Sequence, residues 1–247
     1  MLRPLQEGLL LLERLSDQPE ALAISDAARV LGWPKSRVHR ILAALVAAGY
    51  VEQDADRRYR ATPKVLRLAS GTMSRHPLRQ QALPFLRRAC AETGADATLS
   101  VLHEDRSLAI ATDSATGDPA ADPFSMLGRS SWLHGAANGK VLLAWLPLVE
   151  QRDLLARLEL PALTRRTITD RARLAAELER VRERGWAVND RENHPDVFTV
   201  SVPVFDGFHR CVAAVGLSQR PDAADEKRSV AVLRRESAAL TRRIAGV

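Results

Sequence analysis

Five of the six residues 35–40 are hydrogen-bond donors: Lys35, Ser36, Arg37, His39 and Arg40. Donors at that density suit a polyanion, since Lys and Arg meet phosphates while Arg, Ser and His reach base edges. Between Asp26 and Glu52 the chain carries Arg29, Lys35, Arg37 and Arg40 and no acid, although 27% of the whole is charged with both signs mixed. A cationic first turn opposes the helix dipole, so Lys35 and Arg37 are poorly placed for helix stability and well placed for a nearby anion. Arg57 and Arg58 follow at a turn, where they would meet phosphates or a minor groove. The plainer readings, a solvated basic face and a solubilising hairpin tip, compete until the surrounding elements are considered.

Those elements have the period and punctuation of a DNA-reading module. A helix from Pro34 puts Val38, Ile41, Leu42, Leu45 and Val46 on one buried stripe and leaves Ser36, Arg40, Ala43, Ala44 and Ala47 opposite, with Arg37 and His39 on the flanks. Short alanines let such a helix lie deep in a major groove about 12 Å wide. Before it, residues 5–15 read as a helix with Leu5, Leu9 and Leu12 on one face. A second helix carries Ile24, Ala27, Ala28 and Leu31 and is ended by Gly32. Two helices joined by a short turn containing Gly form the helix-turn-helix pattern. After Gly49, residues 50–53 and 57–60 read as two short strands around the turn 54–56, a wing.

Composition narrows the partners. The net charge is +6, and residues 1–75 hold 12 Lys or Arg against 8 Asp or Glu, so most of the excess sits in the first third. That favours nucleic acid over an acidic small substrate. No run approaches the 18 or more apolar residues of a membrane span, and the leucines near the N-terminus are broken by Glu7, Glu13 and Arg14, which points to a cytoplasmic protein without a membrane partner. Cys90 and Cys211 lack metal or CxxC spacing and read as buried reduced thiols.

Gly32, Pro34, Lys35, Ser36, Val38, His39, Arg40, Leu42, Leu45, Gly49, Tyr59 and the run Leu66, Arg67, Leu68 together closely resemble the winged helix-turn-helix of the IclR family of bacterial transcription regulators. In that family the Pro-Lys-Ser-x-x-His-Arg segment opens the recognition helix, which implies DNA binding by Lys35, Ser36, Arg37, His39, Arg40, Arg57 and Arg58. Ala23 departs from the usual Ser or Thr cap, with Asp26 still supplying the first-turn acid. Residues 63–74 read as a partly apolar helix before Arg75-His76-Pro77. In the family this linker helps pair DNA-binding domains as dimers, and an apolar helix with little to cover it fits that role.

The remainder reads as an antiparallel sheet flanked by helices, an α+β domain. Helices are expected over 78–93, 136–146, 148–158, 170–185 and 225–244, and strands over 97–103, 107–113, 199–205 and 211–217. Residues 113–123 read as a small-residue loop and 126–132 as irregular. GRSSWLHGAANGKVLLAWLP, TRRTITDRARLAAELERVRERGWAVND and SVPVFDGFHRCVAAVGLS are similar to the corresponding family segments. The resemblance implies a GAF-like domain that binds a small, often carboxylated metabolite and mediates dimer or tetramer contacts. It divides the chain into a DNA-binding domain (1–61), a linker helix (62–76) and an effector-binding and oligomerisation domain (77–247).

Residues 135–140 independently offer backbone N–H groups at a helix start, a ready seat for a carboxylate. The family's pocket positions correspond to Gly128, Ser131, Asn189, Thr199, Gly216 and Ser218, with His134 beside them. Asn189 stands for a common Asp, Gly216 for a common Ser and Trp132 for a common Pro, so the pocket is expected to be less repulsive to an acid and roomier. Sheet packing around a degenerate pocket is the alternative. No GxSxG, HExxH, GxxxxGK[ST] or GxGxxG occurs, so no catalytic residues, metal or cofactor are expected. A ligand-responsive regulator that grips a partly palindromic operator as a homodimer or homotetramer is the leading expectation, and one whose second domain only oligomerises is the runner-up.

Overall fold

A computed structural model describes residues 2–18, 20–115 and 126–246. The chain forms two compact units, Met1–Arg75 and His76–Val247.

The first unit is α1 (Arg3–Ser16), α2 (Ile24–Leu31), α3 (Lys35–Ala47), the hairpin β1 (Val51–Gln53) and β2 (Tyr59–Ala61), and α4 (Val65–Met73). Its core is Leu11, Leu12, Leu15, Ala27, Ala28, Val38, Leu42, Val51 and Tyr59, where each large side chain buried contributes about 1.5–3 kcal/mol. Gly32 ends α2 in the left-handed conformation at φ 65, ψ 28, and the Trp33 N–H then reaches back to Ala28 O at 3.0 Å. Leu22 and Tyr59 exchange backbone hydrogen bonds of 2.9 and 2.8 Å, which pins the wing to the link between α1 and α2. One expectation about burial fails, that for Val46, and the apolar face of α1 is only partly covered. Leu5 and Leu9 are 61% and 53% exposed, because α1 turns Leu11, Leu12 and Leu15 inward instead, and Val46 is 40% exposed because α3 outlasts its cover. The returning strand also starts at Tyr59, since Arg57 takes φ 59 inside the turn.

The second unit holds α5 (Pro77–Thr93), β3 (Asp96–His103), β4 (Arg106–Asp113), β5 (Ser130–Trp132), α6 (Ala137–Ala144), α7 (Leu148–Arg157), α8 (Arg171–Arg184), β6 (Ala187–Asp190), β7 (Phe198–Phe205), β8 (Cys211–Gln219) and α9 (Glu226–Ala245). The six strands form an antiparallel sheet in the order β5-β4-β3-β8-β7-β6. Alternation along the strands sends Ala97, Leu99, Val200, Val202, Val204, Val215 and Leu217 to one face under α5 and α9. The opposite face, with Ala187 and Ala214, packs on α6, whose eight residues are all buried, and beyond it on Leu154, Leu174, Leu178 and Val181. Asp170 and Asp225 cap α8 and α9 as their positions foretell. Residues 126–132 are not wholly irregular: Ser130–Trp132 adds an edge strand on β4. Most of the loop expected at 113–123 lies outside the described residues.

Candidate functional site

The first turn of α3 has Pro34 as its N-cap, no capping side chain and no acid, so the Lys35 and Ser36 N–H groups open outward. Lys35, Ser36, His39 and Arg40 are exposed, and among the described residues their side chains have no hydrogen-bond or ion-pair partner. Lys35, Ser36 and His39 line a groove of about 490 Å³ with Ile24 and Ser25 from the start of α2 and Arg57 from the wing. Asp54 builds that wing tip: its Oδ1 accepts from the Asp56 and Arg58 N–H groups at 3.0 and 2.8 Å, which holds the turn that displays Arg57.

Two of the seven expected DNA contacts sit differently. Arg37 leans toward α1, its Nη1 3.5 Å from Glu7 Oε1, because it occupies the flank of α3 that faces that helix. Arg58 donates from Nη1 to Ala21 O at 3.1 Å and so braces the wing, while Arg60 pairs with Glu52 at 2.6 Å. Sequence spacing does not pair Glu7 with Arg37, because the two lie 30 positions apart.

In the second unit the expected pocket positions fall into two groups. Asn189, Thr199 and Ser218 make one cross-strand row through β6, β7 and β8, with Gly216 two residues along β8. Ser131 lies on β5, three strand spacings from β8, about 14 Å along the sheet, and Gly128 lies in the turn before it at φ 78. His134 is fully buried. Its Nε2 donates to Pro161 O at 3.0 Å, leaving Nδ1 buried and, among the described residues, without a partner. Burial holds its pKa below the usual histidine value. The Nε2 is thereby committed to Pro161 O rather than to Ser131.

Gly216 does not enlarge a pocket. The Asn138 carboxamide on α6 fills the space: a Cβ built on Gly216 would stand 2.4 Å from Asn138 Oδ1. Asn138 Nδ2 donates to Ser100 Oγ on β3 at 2.8 Å, and Oδ1 is buried and has no partner among the described residues. Asn189 accepts the Glu192 N–H at 2.7 Å and donates to Asn193 Oδ1 at 2.5 Å, so it clasps the turn after β6. Thr199 and Ser218 share a hydrogen bond of 2.9 Å.

Lys140 and Glu192 form a buried ion pair of 2.6 Å, with the lysine side chain 1% exposed and Glu192 Oε2 without a partner among the described residues. Burial raises the Glu192 carboxyl above its ordinary value despite Lys140. Asn138 and Lys140 were visible as the only strongly polar side chains in ANGKVLLA, but their partners on β3 and after β6 were not. The helix proper starts at Ala137, and Lys140 N is already bonded to Ala136 O, so the N–H groups left without a partner among the described residues are those of Ala137, Asn138 and Gly139. Cys90 is buried and Cys211 half-buried, and burial pushes both thiols up to about 12. Among the described residues no group of three His, Cys, Asp or Glu is arranged to hold a metal, and no helix is long and apolar enough to cross a membrane.

Known proteins share both units. Residues 4–55 match the IclR helix-turn-helix domain and residues 70–243 the bacterial transcriptional regulator IclR C-terminal domain. The chain is 30% identical over 227 residues to the HTH-type transcriptional regulator XynR of Escherichia coli, covering 92% of this chain and 89% of that one. The crystal structure of the Thermotoga maritima IclR superposes with a TM-score of 0.73 at 26% identity, over 99% of this chain and 100% of the other. An IclR homologue of Microbacterium hydrocarbonoxydans, solved with 4-hydroxybenzoate, shares the fold with a TM-score of 0.77 at 22% identity, over 99% and 100%. The chain therefore belongs to the IclR family of bacterial DNA-binding transcriptional regulators.

Proposed function

We propose that the protein is a ligand-responsive regulator that grips a partly palindromic operator in the cytoplasm as a homodimer or homotetramer. The observation that carries this reading is the face of α3, where four donors, Lys35, Ser36, His39 and Arg40, are exposed and unpartnered among the described residues around an open helix end. Arg40, with the alanines on its side, serves base edges, and Lys35 and Arg57 serve phosphates. Two-fold pairing makes the operator symmetric. Leu2, Leu5 and Leu9 on or beside α1 and Leu66 and Leu68 on α4 are 53–75% exposed, and a second copy is their natural cover. Gel shifts with fragments of the upstream region test the reading, and a protein that leaves every fragment unshifted overturns it.

The second domain senses a small carboxylated metabolite at the start of α6, where the N–H groups of Ala137, Asn138 and Gly139 have no partner among the described residues and the Thr199–Ser218 row lies on the adjoining sheet. The 4-hydroxybenzoate complex of the Microbacterium protein supports a carboxylate ligand for a protein of this fold. One observation favours the rival reading, in which this domain only oligomerises: Asn138, Asn189, Thr199 and Ser218 already bond to protein groups. A thermal-shift panel of organic acids separates the two. A ligand at about 100 times its Kd stabilises the fold by about 2.7 kcal/mol, and a flat panel favours oligomerisation alone.

A further inference from the structure

Arg37 is the exception on α3: its neighbours Lys35, Ser36, His39 and Arg40 stand free among the described residues, and it alone is tied back to α1. Helical spacing puts Arg37 and Ile41 on one flank, and a methyl built on Gly8 of α1 would stand 4.0 Å from Ile41 Cγ2, so that flank leans on α1. There Glu7 Oε1 lies 3.5 Å from Arg37 Nη1 and also accepts from Arg3 Nε at 2.9 Å. The Glu7 side chain is 15% exposed and that of Arg37 33%, against 75% for Arg3. A partly exposed pair of this kind adds little to stability, which leaves its electrostatic consequence as its main effect.

We infer that Glu7 is a positioning residue for DNA recognition: it parks Arg37 against α1 and withholds one cation from the phosphate backbone. Every phosphate a protein neutralises strengthens its binding to any duplex, whatever the sequence, and steepens the fall of affinity with salt. Withholding Arg37 lowers that sequence-independent part while Arg40 and Ser36 keep their reach to base edges, so the ratio of specific to non-specific binding rises. This rests on the proposed placement of α3 against the duplex.

The test uses the full-length protein, a random-sequence duplex of about 30 base pairs, and fluorescence anisotropy between about 50 and 200 mM KCl. Glu7→Gln is expected to steepen the slope of log K against log salt by about 0.9 for each bound recognition helix, a loss about 3.5-fold larger than wild type over that range. Arg37→Gln alone, which leaves α1 untouched, is expected to keep the wild-type slope, and Glu7→Gln added to it changes nothing further. An unchanged slope in Glu7→Gln overturns the inference. So does an effect that persists without Arg37, which would run through Arg3 or bulk charge, and so does a flattened slope in Arg37→Gln alone. A wild type that binds no duplex at about 50 mM salt overturns the placement of α3 as well, whereas wild-type binding with equal slopes overturns the role of Glu7 only.

Discussion

Gly216→Ala probes how tightly α6 is fitted to the sheet. The new Cβ would meet Asn138 Oδ1 at 2.4 Å and Thr199 Cγ2 at 3.3 Å, and ordinary contact begins at 3.4 Å, so the carboxamide must retreat by about 1 Å. It has nowhere cheap to go, because Nδ2 is committed to the buried Ser100 Oγ. Breaking that bond strands buried polar groups at about 1–3 kcal/mol, the same range as overpacking a core. The loss of backbone freedom in the unfolded chain returns about 0.4–1 kcal/mol, which leaves a net destabilisation of about 0.6–2 kcal/mol. For a domain of this size the midpoint falls by about 2–4 °C per kcal/mol, hence roughly 1–8 °C. Calorimetry on Gly216→Ala, Asn138→Ala and the double variant reads the cause directly. With the carboxamide gone the added methyl has room, so Gly216→Ala becomes neutral or mildly stabilising in that background. If the two changes instead add to within about 0.5 kcal/mol, Asn138 and Gly216 are independent and the packing argument fails.

Removing the cation of the buried pair, Lys140→Met, leaves Glu192 charged and alone and costs about 3–5 kcal/mol at neutral pH by urea unfolding. Burial raises the Glu192 pKa in the folded state above the unfolded value of about 4.3, so the native state binds that proton more tightly, and stability is present at low pH and lost as pH rises through the raised value. The deficit of Lys140→Met relative to wild type therefore shrinks as pH falls from about 8 toward that unfolded value, and a constant deficit contradicts the account. Cys90 and Cys211, held at about 12 by burial, are expected to resist iodoacetamide in the native protein at about pH 8 and to label fully in denaturant, read by mass spectrometry. Rapid native labelling of Cys90 would show that α5 does not seal it.

Local chemistry made the first unit legible. Gly32 and Pro34 punctuate the turn, the 3.6-residue period places Val38 and Leu42 inward, and Asp54 closes the wing, all within a few residues of one another. Asp170 and Gly185 bracket α8 for the same reason. What stayed hidden depends on distant partners. Leu5, Leu9 and Val46 obey the period yet face outward, since a pattern says which side is apolar and not what covers it. That Arg37 has an acid beside it cannot be read from the sequence, since Glu7 comes from α1. The room expected from Gly216 vanishes once Asn138, on another element, occupies it. Lys140 could not be matched to Glu192 across 52 positions, and the three-residue strand Ser130–Trp132 is too short to show alternation.

The outward face of α3 is the claim on which the regulator reading turns, and Arg40→Ala tests it most directly. Arg40 has no partner within the described protein, so its loss leaves the fold intact and removes only what it offers a ligand. Titrated by anisotropy against the upstream fragment that wild type shifts, the variant is expected to bind more weakly by about 1–3 kcal/mol, roughly 5- to 150-fold, while random duplex is affected far less. Equal affinity of variant and wild type for that fragment at every salt concentration would contradict it.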